Sequence, residues 1–151
     1  MAKETVPGRP GEGIRVAIAA SEYNFDVTFA MLERAKEEIA FLGATLGPVV
    51  KTPGVYDLPL ATRVLLSRRD VDAVVALGAV IEGETQHDEV VMQQAARKLA
   101  DLAVDLGKPV GLGISGPGET RLQAQDRIEN AGHAVRAAVK MVRRLREIAP
   151  D

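Results

Sequence analysis

Apolar residues fall along this chain in two alternating rhythms. Four short runs are almost continuously apolar: IRVAIAA (14–20), TLGPVVK (45–51), VDAVVALGAVI (71–81) and KPVGLGIS (108–115). Runs of that length, rich in β-branched residues, predict strands buried on both faces. The longer stretches between them repeat at helical spacing. Ile128, Ala131, Val135, Ala138, Val142 and Leu145 recur every three or four residues, which predicts one buried face of a C-terminal helix. Val27, Met31, Ala35 and Leu42 do the same over 26–42, ending at Gly43, a residue suited to stopping a helix. Val90, Val91, Ala95, Leu99 and Leu102 are expected on one side of a helix over 85–106. TPGVYDLP turns from the second strand into the second helix, with Pro59 acceptable in the first helical turn.

Strand and helix therefore alternate four times. The pattern predicts a parallel sheet covered by helices on both faces, joined by right-handed crossovers. Residues 1–13 hold three glycines and two prolines and read as a flexible N-terminal arm ahead of one domain over 14–151. A chain of 151 residues is long enough to bury a sizeable core as a single unit.

Composition narrows the function more than the fold. Nineteen basic against 21 acidic residues leave a net charge of −2, and aromatics make up 3% without any tryptophan. Neither a basic nucleic-acid surface nor a set of base-stacking platforms is indicated. The absence of cysteine excludes disulfides, thiol catalysis and thiolate metal sites. No stretch approaches the ~18 apolar residues of a membrane span, and MAKETVPGRPGEG lacks the apolar core of a signal peptide. A cytoplasmic location is the resulting expectation.

Ligands of open parallel sheets bind beyond the carboxyl ends of the strands. Four segments occupy those positions: SEYN (21–24), TPGVYD (52–57), EGETQHDE (82–89) and SGPGET (115–120). The third carries one of the two histidines, His87, among four carboxylates. A metal site is one reading, but His87, Asp88 and Glu89 are consecutive and would splay about 100° apart on a helix. A second reading is a plain helix start, capped by Glu84 or Thr85 with acids in the first turn. The third builds on the second: Gly83 before free N–H groups makes an anion pocket, with His87 one turn in as a proton shuttle. The positive helix end favours the neutral imidazole and the carboxylates the charged one, so the sequence alone leaves its state open.

Phosphate recognition also calls for a cation, and Arg121 and Arg127 follow the last strand. His133, inside the last helix, has no special company and reads as structural. Tyr23 is either an aromatic at the cleft mouth or ordinary surface packing. Gly111, Gly113 and Gly116 spell GxGxxG, but two of them fall inside a strand, no strand follows, and the motif comes late. A tight turn before the last helix fits better than a dinucleotide site.

Taken together the loops resemble the lumazine synthase family, from about Ile14 to Leu145. LGAVIEGETQHDEVV is similar to that family's third strand and catalytic loop, VKTPGVYDLPLA to its PGAFE(L/I)P segment and LQAQDR to its EQAxxR segment. The short SGPGETRLQAQ version resembles the archaeal branch. The resemblance implies a three-layer α/β/α sandwich with a four-stranded parallel sheet in the flavodoxin-like order 2-1-3-4. It also implies a transferase of riboflavin biosynthesis. This enzyme condenses 5-amino-6-(D-ribitylamino)uracil with 3,4-dihydroxy-2-butanone 4-phosphate to 6,7-dimethyl-8-ribityllumazine, releasing phosphate and water. The Schiff base forms between the two substrates, so neither a metal nor an organic cofactor is expected.

By the same resemblance His87 transfers protons, and the backbone at Glu84 and Thr85 with the Arg127 side chain holds the phosphate. Tyr23 takes the place of a stacking phenylalanine. Val55, Tyr56 and Asp57 contact ring and ribityl chain, while Ala79, Val80 and Ile81 offer backbone bonds to the uracil. Leu112 stands where many members present a phenylalanine from the neighbouring subunit, Asp57 where most have glutamate, and Ala131 nearest to a lysine of bacterial members. The family forms pentamers with sites shared between subunits, some of them building 60-subunit shells, so a homo-oligomer is expected. An archaeal riboflavin synthase paralogue shares the PG-x-x-DLP segment but lacks the GETxHDE loop. A non-catalytic shell or flavin-binding protein would have no need of His87 and Arg127.

Overall fold

The computed structural model describes residues 8–83 and 87–150. In chain order the elements are β1 (Arg15–Ser21), α1 (Phe25–Phe41), β2 (Thr45–Thr52), a single 3₁₀ turn (Val55–Asp57) leading into α2 (Leu58–Leu66), β3 (Ala73–Ile81), α3 (Asp88–Leu106), β4 (Val110–Glu119), a short α4 (Arg121–Asp126) and α5 (Asn130–Ile148). The sheet is wholly parallel, in the order β2-β1-β3-β4. Both the class and the strand order agree with expectation.

Alternation of side chains along each strand builds two cores. Val16, Ile18 and Ala20 of β1 with Val75, Leu77 and Ala79 of β3 pack against α1 and α5. Ala17 and Ala19 with Val74, Ala76 and Val80 face α2 and α3. Every residue of β3 is buried, which is why its sequence is a continuous apolar run. Pro48 sits in β2, an edge strand, where its missing N–H is tolerated. The β1–β2 register shifts there, from Val16↔Leu46 to Ile18↔Val49.

The glycines of β4 are explained by packing. A Cβ on Gly111 would lie 2.5 Å from the Ala134 carbonyl oxygen, and one on Gly113 would lie 2.6 Å from Leu77 Cδ2. Gly111 thus lets α5 approach the sheet and Gly113 makes room for Leu77 of β3, whereas Gly116, at φ 101°, lies against the Val80 carbonyl where β4 turns, so the GxGxxG spelling serves packing and a turn. The buried face of α5 contains Ala131, Val135, Ala138 and Val142, as its spacing predicts. In α3 the expected stripe holds for Ala95, Leu99 and Leu102, whereas Val90 is exposed. Val90 and Val91 are adjacent on a helix and diverge by ~100°, so both cannot face the sheet. Gly43, with φ 79°, stops α1 as expected.

Of the segment expected as an arm, residues 8–13 lie within the described part. Gly11 N–H donates to the Leu42 carbonyl, and Arg9 Nη2 donates to the carbonyls of Ala40 and Phe41, so this stretch is tied to the end of α1.

A charge cluster joins α1 to the start of α5. Arg34 donates to Glu38 Oε1 at 2.7 Å and, through two nitrogens, to Glu129 at 2.7 and 2.9 Å. Arg136 donates to the same buried Glu38 at 3.1 Å. The Arg34 hydrogen bond, reinforced by the charges of Arg34 and Arg136, holds the Glu129 carboxyl below its ordinary value of 4.5. A carboxyl depressed on folding stabilises the fold above its unfolded value and loses that contribution as pH falls through the lower, folded value. Glu129 is exposed, so the effect is modest and weakened by salt. Glu129→Gln should therefore melt below wild type at pH 7, with the two melting curves converging as pH drops below about 4. Thermal denaturation across pH checks this; a gap that stayed constant would contradict the pairing.

Candidate active site

All four strands end on the same edge of the sheet, and the segments that follow them converge there. β1 leads through Tyr23 into Asn24, which adopts a left-handed backbone (φ 64°, ψ 49°) at the N-cap of α1. Asparagine tolerates that region because its side chain satisfies local partners. Here Asn24 Nδ2 donates to the Ala79 carbonyl at 3.0 Å, lacing the β1 loop to the end of β3. Arg121 Nη2 in turn donates to Asn24 Oδ1 at 2.9 Å, and Arg121 Nη1 donates to Asp26 Oδ1 at 2.6 Å. The bond from Arg121 holds the Asp26 carboxyl below its ordinary value.

β2 ends in the glycine–proline turn, whose shape is set by the Thr52 hydroxyl donating to the Gly54 carbonyl and by the Gly54 N–H donating to Asp57 Oδ2. The turn presses Val55 onto β3. A Cβ on Gly78 would lie 2.8 Å from Val55 Cγ2, so the close approach depends on glycine there.

These pieces enclose a cavity of about 180 Å³ with almost wholly apolar walls. Tyr23, Val55, Tyr56, Ala79, Val80 and Ile81, all expected at the site, line it, as do Asn24, Gly54, Asp88 and Val91. Tyr23 and Tyr56 are more than half exposed and stand at the rim. Larger grooves lie elsewhere, among them one between α2 and α3 and one beside β4 between α3 and α5.

The remaining expected residues surround the cavity or leave it. His87 is not one turn into a helix; its carbonyl accepts the first helical bond, from Val91 N–H at 2.8 Å, which makes it the N-cap of α3. His87 is thus the residue that opens the helix, its side chain making no cap bond, and the cavity residue Asp88 follows it. Asp57 is not a wall residue, and its carboxylate closes the Gly54 turn. Arg127 follows α4, its side chain about half exposed, and donates to buried Glu119. Leu112 lies on β4 in the groove between α3 and α5, away from the cavity. Glu84 and Thr85 lie outside the described residues. Among the described residues no cluster of three or more His, Asp or Glu side chains could hold a metal, and no helix is long and apolar enough to cross a membrane.

Sequence reasoning overlooked Asn24 and α4. The helix announces itself in TRLQ: the Thr120 hydroxyl accepts from Gln123 N–H and the Gln123 side chain accepts from Thr120 N–H, a capping box. Asn24 is visible only as an asparagine before a helix, since its partner Ala79 is distant in sequence.

The sequence profile of 6,7-dimethyl-8-ribityllumazine synthase matches residues 13–146. The chain belongs to the lumazine synthase family. Similar curated relatives bear the name 6,7-dimethyl-8-ribityllumazine synthase. One, from Methanococcus maripaludis strain C5, is 55% identical over 135 residues, covering 89% of this chain and 98% of the relative. One from Methanothermobacter thermautotrophicus is 55% identical, covering 89% and 96%, and one from Pyrobaculum arsenaticum is 56% identical, covering 87% and 88%. The GxGxxG glycines, the αL asparagine and the glycine–proline turn are thus parts of a lumazine synthase scaffold.

Asn24→Ala should remove two side-chain hydrogen bonds and place a residue ill suited to positive φ at the cavity edge. We expect destabilisation of about 1–3 kcal/mol in urea titration, with Asn24→Gly recovering part of it through the backbone alone. Equal midpoints for Asn24→Ala and wild type would contradict the lacing role.

Proposed function

We propose that this chain condenses 5-amino-6-(D-ribitylamino)uracil with 3,4-dihydroxy-2-butanone 4-phosphate, forming 6,7-dimethyl-8-ribityllumazine and releasing phosphate and water. The observation that carries the reading is the convergence of Tyr23, Val55, Tyr56, Ala79, Val80 and Ile81 on one cavity beside the N-terminus of α3. At about 180 Å³ it is smaller than the ~300–1,000 Å³ of most ligand pockets. That volume suits a flat ring held between apolar walls, with the ribityl chain and phosphate outside. Tyr23 covers the ring from the rim. The backbone of Ala79, Val80 and Ile81 identifies the pyrimidine edge, with the Ala79 carbonyl already sharing one lone pair with Asn24. Val55 and Tyr56 border ring and ribityl chain, and Asp57 reaches the chain only from behind the Gly54 turn.

The phosphate lies at the opening of α3, where free N–H groups and the helix dipole favour an anion. The backbone of Glu84 and Thr85 and the guanidinium of Arg127 hold it. The substrate amine attacks the ketone, and the imine joins the two substrates without a covalent bond to the protein. The protein's part is to align them and move protons, His87 accepting and returning protons beside the departing phosphate. The reaction calls on no cofactor.

The working form is a homo-oligomer in the cytoplasm, a pentamer or a 60-subunit assembly of pentamers. Leu112 supports this reading. About half exposed in an apolar groove remote from its own chain's cavity, it is available to complete the site of a neighbour.

Steady-state kinetics with both substrates tests the assignment. His87→Ala should lower kcat by roughly 100-fold or less, because the condensation proceeds partly unaided. Arg127→Ala should lower kcat/KM for the butanone phosphate by about 100-fold or more, circular dichroism confirming that the variant is folded. Wild-type kinetics for Arg127→Ala would overturn the phosphate site.

A further inference from the structure

Glu119 is an anomaly of position. It ends β4 fully buried, in a chain whose other acidic side chains are mostly exposed. An unpaired buried carboxylate is strongly disfavoured, so its partners matter. One oxygen, Oε2, accepts from the buried Ser115 hydroxyl at 2.8 Å; the other, Oε1, accepts from Arg127 Nη1 at 3.1 Å. The backbone fixes it further. Glu119 pairs with Ile81 of the cavity wall, and its carbonyl accepts from Glu82 N–H at 2.8 Å, at the root of the loop that leads to His87.

Resting on the phosphate site proposed above, we propose that Glu119, held by Ser115, is a positioning residue that sets the Arg127 guanidinium for the phosphate substrate. Arg127 follows α4, and nearly half of its side chain is exposed. A long side chain so placed would sample many rotamers, and ordering it on binding would weaken affinity. Anchoring Nη1 to a rigid buried acceptor removes that freedom in advance. A guanidinium carries five N–H donors, so the remaining ones stay available to a phosphate in fork geometry. The anchor is rigid because Glu119 is strand-paired on one side and hydrogen-bonded by Ser115 on the other. α4 positions the base of the arginine: Arg127 N–H donates to the Gln123 and Ala124 carbonyls, closing the helix that the Thr120–Gln123 box opens.

The opposite effect of Glu119 is easily distinguished. Its negative charge repels a phosphate, so if charge outweighed orientation, neutralising it would tighten phosphate binding. Glu119→Gln keeps size and a side-chain oxygen while removing the charge-assisted bond. It should raise KM for the butanone phosphate about tenfold, leaving kcat within about twofold and KM for the aminouracil unchanged. General loss of structure would move both KM values together. In an Arg127→Ala background, adding Glu119→Gln should change phosphate KM no further, since the residue acts through the arginine. Ser115→Ala, which loosens the anchor without touching charge, should raise phosphate KM by about two- to threefold, and it decides the matter should Glu119→Gln not fold. An unchanged or lowered phosphate KM in Glu119→Gln, or in Ser115→Ala where it must stand alone, overturns the positioning role. If Arg127→Ala itself leaves phosphate KM unchanged, the phosphate site fails first and the positioning role with it.

Discussion

The central strand, Ala73–Ile81, is buried along its whole length between α1 and α5 on one face and α2 and α3 on the other. A strand confined in this way cannot slip, because a one-residue shift would exchange the side chains that meet each helical layer. Its carboxyl end is therefore a fixed reference. Ala79 receives the Asn24 amide, Gly78 receives Val55, and Ile81 pairs with Glu119. Each wall of the cavity and the anchor of Arg127 is referred to those few residues. A parallel sheet offers this arrangement because all its strands end on one side, leaving polar loops above an apolar floor.

Charge at this edge is arranged in pairs. Arg121 is engaged by Asp26 and Asn24, and Arg127 by Glu119. For Arg127 the pairing is asymmetric, since the carboxylate is fully buried while much of the guanidinium reaches solvent. Such a pair offers an incoming anion oriented donors rather than a bare charge. In the proposed phosphate site the α3 N-terminus adds fixed N–H dipoles. Preorganised dipoles of this kind suit a reaction whose covalent bonds form between the substrates, where the protein's contribution is alignment and proton transfer.

The fold was legible because burial leaves a plain trace: four apolar runs alternating with helical spacing, the most continuous of them in β3, which is buried along its whole length. The cavity lining was legible where its residues belong to strand ends, as Ala79–Ile81 do, or to a turn with fixed chemistry, as Val55 and Tyr56 do. Legibility failed where the deciding partner is remote in sequence. The αL backbone of Asn24 depends on Ala79, and the restraint on Arg127 depends on a glutamate that reads as one more polar residue after a glycine turn. The start of α3 was misplaced by a few residues for a related reason. Acidic residues at 82, 84, 88 and 89 mark a helix opening without marking which one opens it, and only the Val91 to His87 bond decides.

The central claim is that the cavity at the strand ends joins two substrates rather than transforming one. Two incubations of purified protein test it most directly, one with the aminouracil and the butanone phosphate, the other with 6,7-dimethyl-8-ribityllumazine alone, each followed by chromatography of the products. The account predicts ribityllumazine and stoichiometric inorganic phosphate from the first and no riboflavin from the second. Riboflavin formed from lumazine alone, with no condensation of the two substrates, would contradict it.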